Sequence, residues 1–122
     1  MWSLQKKYSW SYISVLWLVV ILILLFISSE DIEIKQPELF PHADKLVHAG
    51  LFAIWAYCLC RASLQQFHFI KYVPISVGII SIGILTEILQ GMTTYRTSDP
   101  WDVIADIVGG LVILMFFRFF LK

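Results

Sequence analysis

Four stretches of this chain stay apolar for about the length of a bilayer crossing, and shorter polar segments separate them. From Tyr8 to Ser29 no charged residue occurs, which meets the ~20 residues a crossing helix needs. Lys6-Lys7 precede this run, an order that also marks a cleaved secretion signal. The apolar core is long, however, and Ser28-Ser29-Glu30 lacks an A-x-A-like site, so an uncleaved anchor is expected. Glu30 to Asp44 is polar, with Pro37 and Pro41 opposing a continuous helix, and belongs outside the hydrocarbon.

The second apolar run, Leu46 to Cys60, lies between Lys45 and Arg61. At ~1.5 Å per residue it spans only about 22 Å, so its charged ends must snorkel. Arg61, Phe67, His68, Phe69 and Lys71 then read as a short aromatic and basic loop. A third run extends from Tyr72 to Gln90, with Gly91 placed as the left-handed residue after the helix. Thr93 to Ser98 is polar and carries Arg96, and Asp99-Pro100 reads as the N-cap and first position of a fourth helix. The pattern predicts an all-α integral membrane protein. It forms a single domain over residues 1–122, a small bundle of four helices at about 9–28, 44–63, 72–90 and 100–120.

Composition agrees with lipid as solvent. Hydrophobic residues make up 59% of the chain and mean hydropathy is +0.78, against about 45–50% apolar residues in soluble domains. Nine basic and nine acidic side chains cancel, but they are segregated. Lys6, Lys7, Arg61, Lys71, Arg118 and Lys122 fall on one side without an acid, while Lys35, Lys45 and Arg96 share the other with every carboxylate. The positive-inside rule makes the basic side, with both termini, cytoplasmic. The bilayer is the expected partner, and no nucleic-acid partner is expected. Cys58 and Cys60, two positions apart on a helix, cannot meet and read as buried thiols. Ala49, Ala53, Ala56, Ser76, Gly83, Ala105 and Gly109 supply small positions through which helices pack closely in lipid.

Polar residues of the last three runs gather near their outer ends. Helical spacing places Lys45, His48 and Phe52 on one face, Gly83, Glu87 and Gln90 on a second, and Asp102, Asp106 and Gly110 on a third. Three such faces can enclose one cavity, with Arg96 folding over it from the connecting loop. Ionisable side chains inside a bilayer point to function, and Glu87 and Asp106 carry that inference furthest. Asp106 lies about 9 Å into its helix, where a bare carboxylate calls for protonation or for pairing with Lys45, His48 or Arg96. Plainer roles stand beside these. Asp99 suits a helix cap, Asp102 a reciprocal capping contact, His48 an interhelical hydrogen bond and Lys45 a snorkelling anchor.

Gly-rich phosphate loops, Cys-x-x-Cys, His-Glu-x-x-His and Gly-x-Ser-x-Gly are all absent, which argues against nucleotide hydrolysis and zinc proteolysis. Oxygen ligands from Glu87, Asp102 and Asp106, with His48 nearby, make a divalent cation such as Mg²⁺ or Ca²⁺ the one candidate cofactor.

The order Asp44-Lys45-Leu46-Val47-His48, then Phe52, Glu87-Ile88-Leu89-Gln90, Arg96, Asp99, Asp102, Asp106 and Gly109 resembles the signature of VanZ-like membrane proteins. The resemblance runs from about residue 41 to the C-terminus. That family pattern usually carries asparagine where this chain has Asp106. What it implies is a multi-pass protein of the bacterial cytoplasmic (inner) membrane, part of the cell envelope. The family is named after a member linked to resistance to the glycopeptide antibiotic teicoplanin.

Three functions follow as expectations. An outward-facing polar pocket binds a phosphorylated lipid-linked envelope precursor through Lys45, His48, Glu87, Gln90, Arg96, Asp102 and Asp106, and so modulates glycopeptide susceptibility. Alternatively, the pocket is an enzyme site for a lipid headgroup, with Glu87 or His48 as general base. In the third, the chain is a structural subunit of a membrane complex.

Overall fold

The computed structural model describes the backbone of residues 2–26, 43–92 and 100–120, with side chains from 6 to 25, 45 to 92 and 100 to 120. Four helices account for nearly all of it: α1 (Trp2–Phe26), α2 (Ala43–Phe67), α3 (Tyr72–Gly91) and α4 (Pro100–Phe120). Each is long and apolar enough to cross a membrane. Among the described residues, proline sits where helices tolerate it. Pro100 opens α4 and Pro74 lies in the first turn of α3, where backbone N–H groups have no intrahelical acceptor to lose.

α2 is the hub. Its broadest contact is with α4, its next with α1, while α3 leans mainly on α4. Pairs at matching heights give the directions. Lys45 meets Asp102, His48 meets Asp106 and Tyr57 meets Phe117, so α2 and α4 run parallel. Gly83 faces Asp106, Ile79 faces Gly110 and Tyr72 lies by Arg118, so α3 runs antiparallel to α4. A Cβ at Gly109 would stand 2.1 Å from the Ala49 carbonyl oxygen, and one at Gly110 2.8 Å from the Ile79 side chain. Two adjacent glycines thus let α4 touch α2 by backbone and α3 by side chain, the close approach that small residues permit.

Phe52, Ala56, Cys60, Ile79, Leu114 and Phe117 fill the interior between these helices, joined by Ile21 and Leu25 of α1. Cys58 and Cys60 are buried and free. The outward surface is apolar too: Leu16, Leu46, Val73, Val77 and Val112 are all exposed.

Several bounds differ from expectation. α1 begins at Trp2, so Lys6-Lys7 lie within the helix. α2 continues to Phe67, placing Arg61 on the helix instead of in a loop. The reason is a set of partners for its polar last turns. Gln65 accepts from Trp10 N (3.1 Å) and donates to Ser9 Oγ (2.9 Å) and the Lys6 carbonyl, and Gln66 bonds Ser11. His68 then ends the helix in left-handed backbone (φ 64°), its N–H bonded to Leu64 O at 3.0 Å. Ser63 Oγ closes the turn by donating to Phe69 O (2.8 Å) and accepting from Lys71 N (2.9 Å). Gly91 is not the left-handed residue expected. α3 runs through it, and Met92 N–H bonds both Ile88 O and Leu89 O at 3.2 Å, a shared bond that closes the turn without positive φ.

Candidate functional site: a buried polar cluster

At the end where α2 and α4 begin and α3 finishes, ionisable side chains turn inward. α4 carries Asp102 and Asp106 one turn apart on its buried face, directly before the glycine contact. α2 presents Lys45 and His48 at the same heights. Lys45 Nζ stands 2.6 Å from Asp102 Oδ1, and His48 Nδ1 stands 2.9 Å from Asp106 Oδ1. His48 Nε2 lies 3.7 Å from Asp102 Oδ2, beyond hydrogen-bond range. Lys45, Asp102, His48 and Asp106 therefore form two bonded pairs stacked in a string that descends from the end of the bundle, with 3.7 Å between them.

Burial sets its energetics. His48 is 1% exposed and Asp106 0%, whereas the Lys45 side chain keeps 26% at the rim. Charges removed from water need partners, and breaking such a pair leaves an uncompensated charge inside. Asp106 Oδ2 has no hydrogen-bond partner among the described residues. It is turned toward α3, where a Cβ on Gly83 would be 3.7 Å away. With Asp106 ionised, the imidazole donates through Nδ1–H, which fixes the tautomer and aims Nε2 toward Asp102.

α3 adds Glu87, one turn from Gly83 on the same face and 5% exposed. Thr86 beside it is also buried and donates to the Gly83 carbonyl at 3.0 Å. Sequence reasoning missed Thr86, although a polar residue next to Glu87 in an apolar run was the available signal. Gln90 has a role that was not foreseen. Its amide donates to Leu25 O, a backbone carbonyl of α1, at 2.8 Å. It links α3 to α1.

The structure thus brings Lys45, His48, Asp102 and Asp106 into direct contact and sets Glu87 on the face that meets them. Asp102 is more than a cap and Lys45 more than an anchor. Arg96 and Asp99, like the proline-containing connection before α2, lie outside the described residues. Among the described residues no group of three or more His, Cys, Asp or Glu is arranged to hold a metal ion. No protein-family model, curated protein or solved structure matches this chain.

Proposed function

We propose that this chain is a VanZ-like multi-pass protein of a bacterial cytoplasmic membrane, with both termini in the cytoplasm, whose outer polar cluster binds the headgroup of a lipid-linked envelope precursor. The carrying observation is the string Lys45, Asp102, His48, Asp106, buried between α2 and α4 at the end away from the basic residues. Exposed hydrocarbon on all four helices supports insertion, since soluble monomers rarely present contiguous apolar area on this scale. Lys6, Lys7, Arg61, Lys71 and Arg118 gather at the opposite end, which supports the orientation.

Chemistry narrows the headgroup. Among the described residues one lysine stands with three carboxylates and a histidine, a set in which a bare phosphate would meet more repulsion than attraction. A headgroup bearing both phosphate and hydroxyl groups suits the set better: Lys45, with Arg96, takes the phosphate, and Asp102, Asp106 and Glu87 accept from hydroxyls. Modulation of glycopeptide susceptibility would follow from holding such a precursor.

Binding of a polyprenyl-phosphate sugar to the purified protein in nanodiscs tests the reading. Asp102→Asn and Glu87→Gln should each weaken it about tenfold, the worth of a hydrogen bond to a charged group. Unchanged affinity in both would remove the cluster from recognition. Orientation is checked separately: a cysteine at Met92 should react with an impermeant thiol reagent from outside the cell, and one at Phe69 should not.

A second reading is favoured by one distance. His48 Nδ1 held at 2.9 Å by Asp106 is the arrangement that lets the other ring nitrogen act as a general base. Turnover of the same lipid by wild type but not by His48→Gln would select catalysis, and no turnover would leave binding.

A further inference from the structure

A groove of about 540 Å³ runs along the outside of the α2–α4 seam. Ala49 and Ala105 line it, small enough to leave it deep, with Leu46, Ile104 and Val108 beside them. It covers about two turns of α4, or roughly 10 Å from Trp101 to Val108. At one end stand Trp101 and Lys45, the latter being the only charged lining residue among the described residues. Lys45 belongs to both places: its stem borders the groove while its Nζ reaches inward to Asp102 at 2.6 Å. On α4 the change is abrupt, Trp101 lying outward and 66% exposed while Asp102 is 6% exposed.

We infer that this groove seats the hydrocarbon tail of the polyprenyl-phosphate sugar, delivering its phosphate to Lys45 and its hydroxyls to the carboxylates at the mouth of the buried cluster. The inference deepens the headgroup-binding reading and rests on it. An apolar channel that ends on a cation matches an amphiphile with an anionic head at the end of its tail. One groove takes one chain. Polyprenyl phosphates have a single tail, whereas bilayer phospholipids would leave a second chain unseated. Trp101 marks the level at which amphipathic rings meet the headgroups, so the polar end of the groove and that of the lipid coincide. The depth exists because Gly109 lets α4 close on Ala49 without a side chain between them.

Filling the groove is the test. Val108→Trp and Ala105→Phe are compared with Val77→Trp, which adds the same bulk on the exposed face of α3. All are assayed in phosphatidylglycerol nanodiscs for binding of the polyprenyl-phosphate sugar by native mass spectrometry, after their thermal unfolding midpoints are matched to wild type. Both groove variants should lose fivefold or more in affinity, with Val77→Trp unchanged. Val108→Trp, at an already exposed position, keeps the test decisive if Ala105→Phe fails to fold. Wild-type affinity in Val108→Trp, alongside loss in Asp102→Asn, would overturn the groove and leave the headgroup reading standing. Loss in neither would remove both. Retained phosphatidylglycerol that the polyprenyl-phosphate sugar does not displace, or a change of oligomeric state on filling the groove, would also overturn it.

Discussion

The two ends of this bundle handle charge in opposite ways. Where α2 and α4 begin, carboxylates, an imidazole and an ammonium group are folded inward and meet each other at 2.6–2.9 Å. At the other end the cations lie over aromatic rings: Arg61 is 5.1 Å from the Trp10 ring centre, Lys71 3.6 Å from that of Phe67 and Arg118 5.8 Å from that of Tyr72. A cation on a ring keeps its contact with water and orients a helix at modest energy. A buried set of paired polar and charged side chains gives up water and gains geometry, each pair holding its two members in place. The basic end therefore suits anchoring, and the carboxylate end suits recognition.

Substitutions can break this contrast. The largest loss is expected for Asp106→Leu, about 3–5 kcal/mol, because it strips His48 of its buried partner. Thermal unfolding in detergent measures it, and Asp106→Asn, which keeps an acceptor for Nδ1–H, should lose far less. Equal losses in the two variants would mean that shape, not pairing, holds this end together. Gly109→Ala comes next at about 3 kcal/mol, since backbone cannot yield to a Cβ as a side chain can. Gly110→Ala should lose less because Ile79 can move. At the basic end, Arg61→Ala should change stability by no more than about 1 kcal/mol. A loss as large as that of Asp106→Leu would erase the difference between the ends. The smallest effect is a gain: His68→Gly should add about 1 kcal/mol by relieving left-handed backbone on a residue with a Cβ.

The number of helices was readable because charge-free runs near twenty residues have few other uses. The inward faces of α2, α3 and α4 were readable as well, since i, i+3 and i+4 spacing collects His48 with Phe52, Glu87 with Gly83, and Asp102 with Asp106. Which face meets which was not. Spacing gives direction around one helix but says nothing of its neighbour, so the parallel match of α2 with α4, and hence the pairing of Lys45 with Asp102 and His48 with Asp106, required coordinates. The reach of α2 to Phe67 was hidden for a related reason. Gln65 and Gln66 look like loop residues until Ser9, Trp10 and Ser11 of α1 are seen beside them. Gln90 was assigned to the cluster by face alone, whereas its amide serves a backbone carbonyl of α1, that of Leu25.

The parallel match of α2 with α4 also has a consequence for biosynthesis. His48 is made 58 positions before its partner Asp106, and α3 is made before the helix it chiefly leans on. A nascent chain that has released α1, α2 and α3 carries an imidazole with no acid from α4 to meet it and a third segment with little to rest against. Assembly must then wait for the final helix, so truncation before residue 100 should yield a species that quality-control proteases remove, while the complete polypeptide persists.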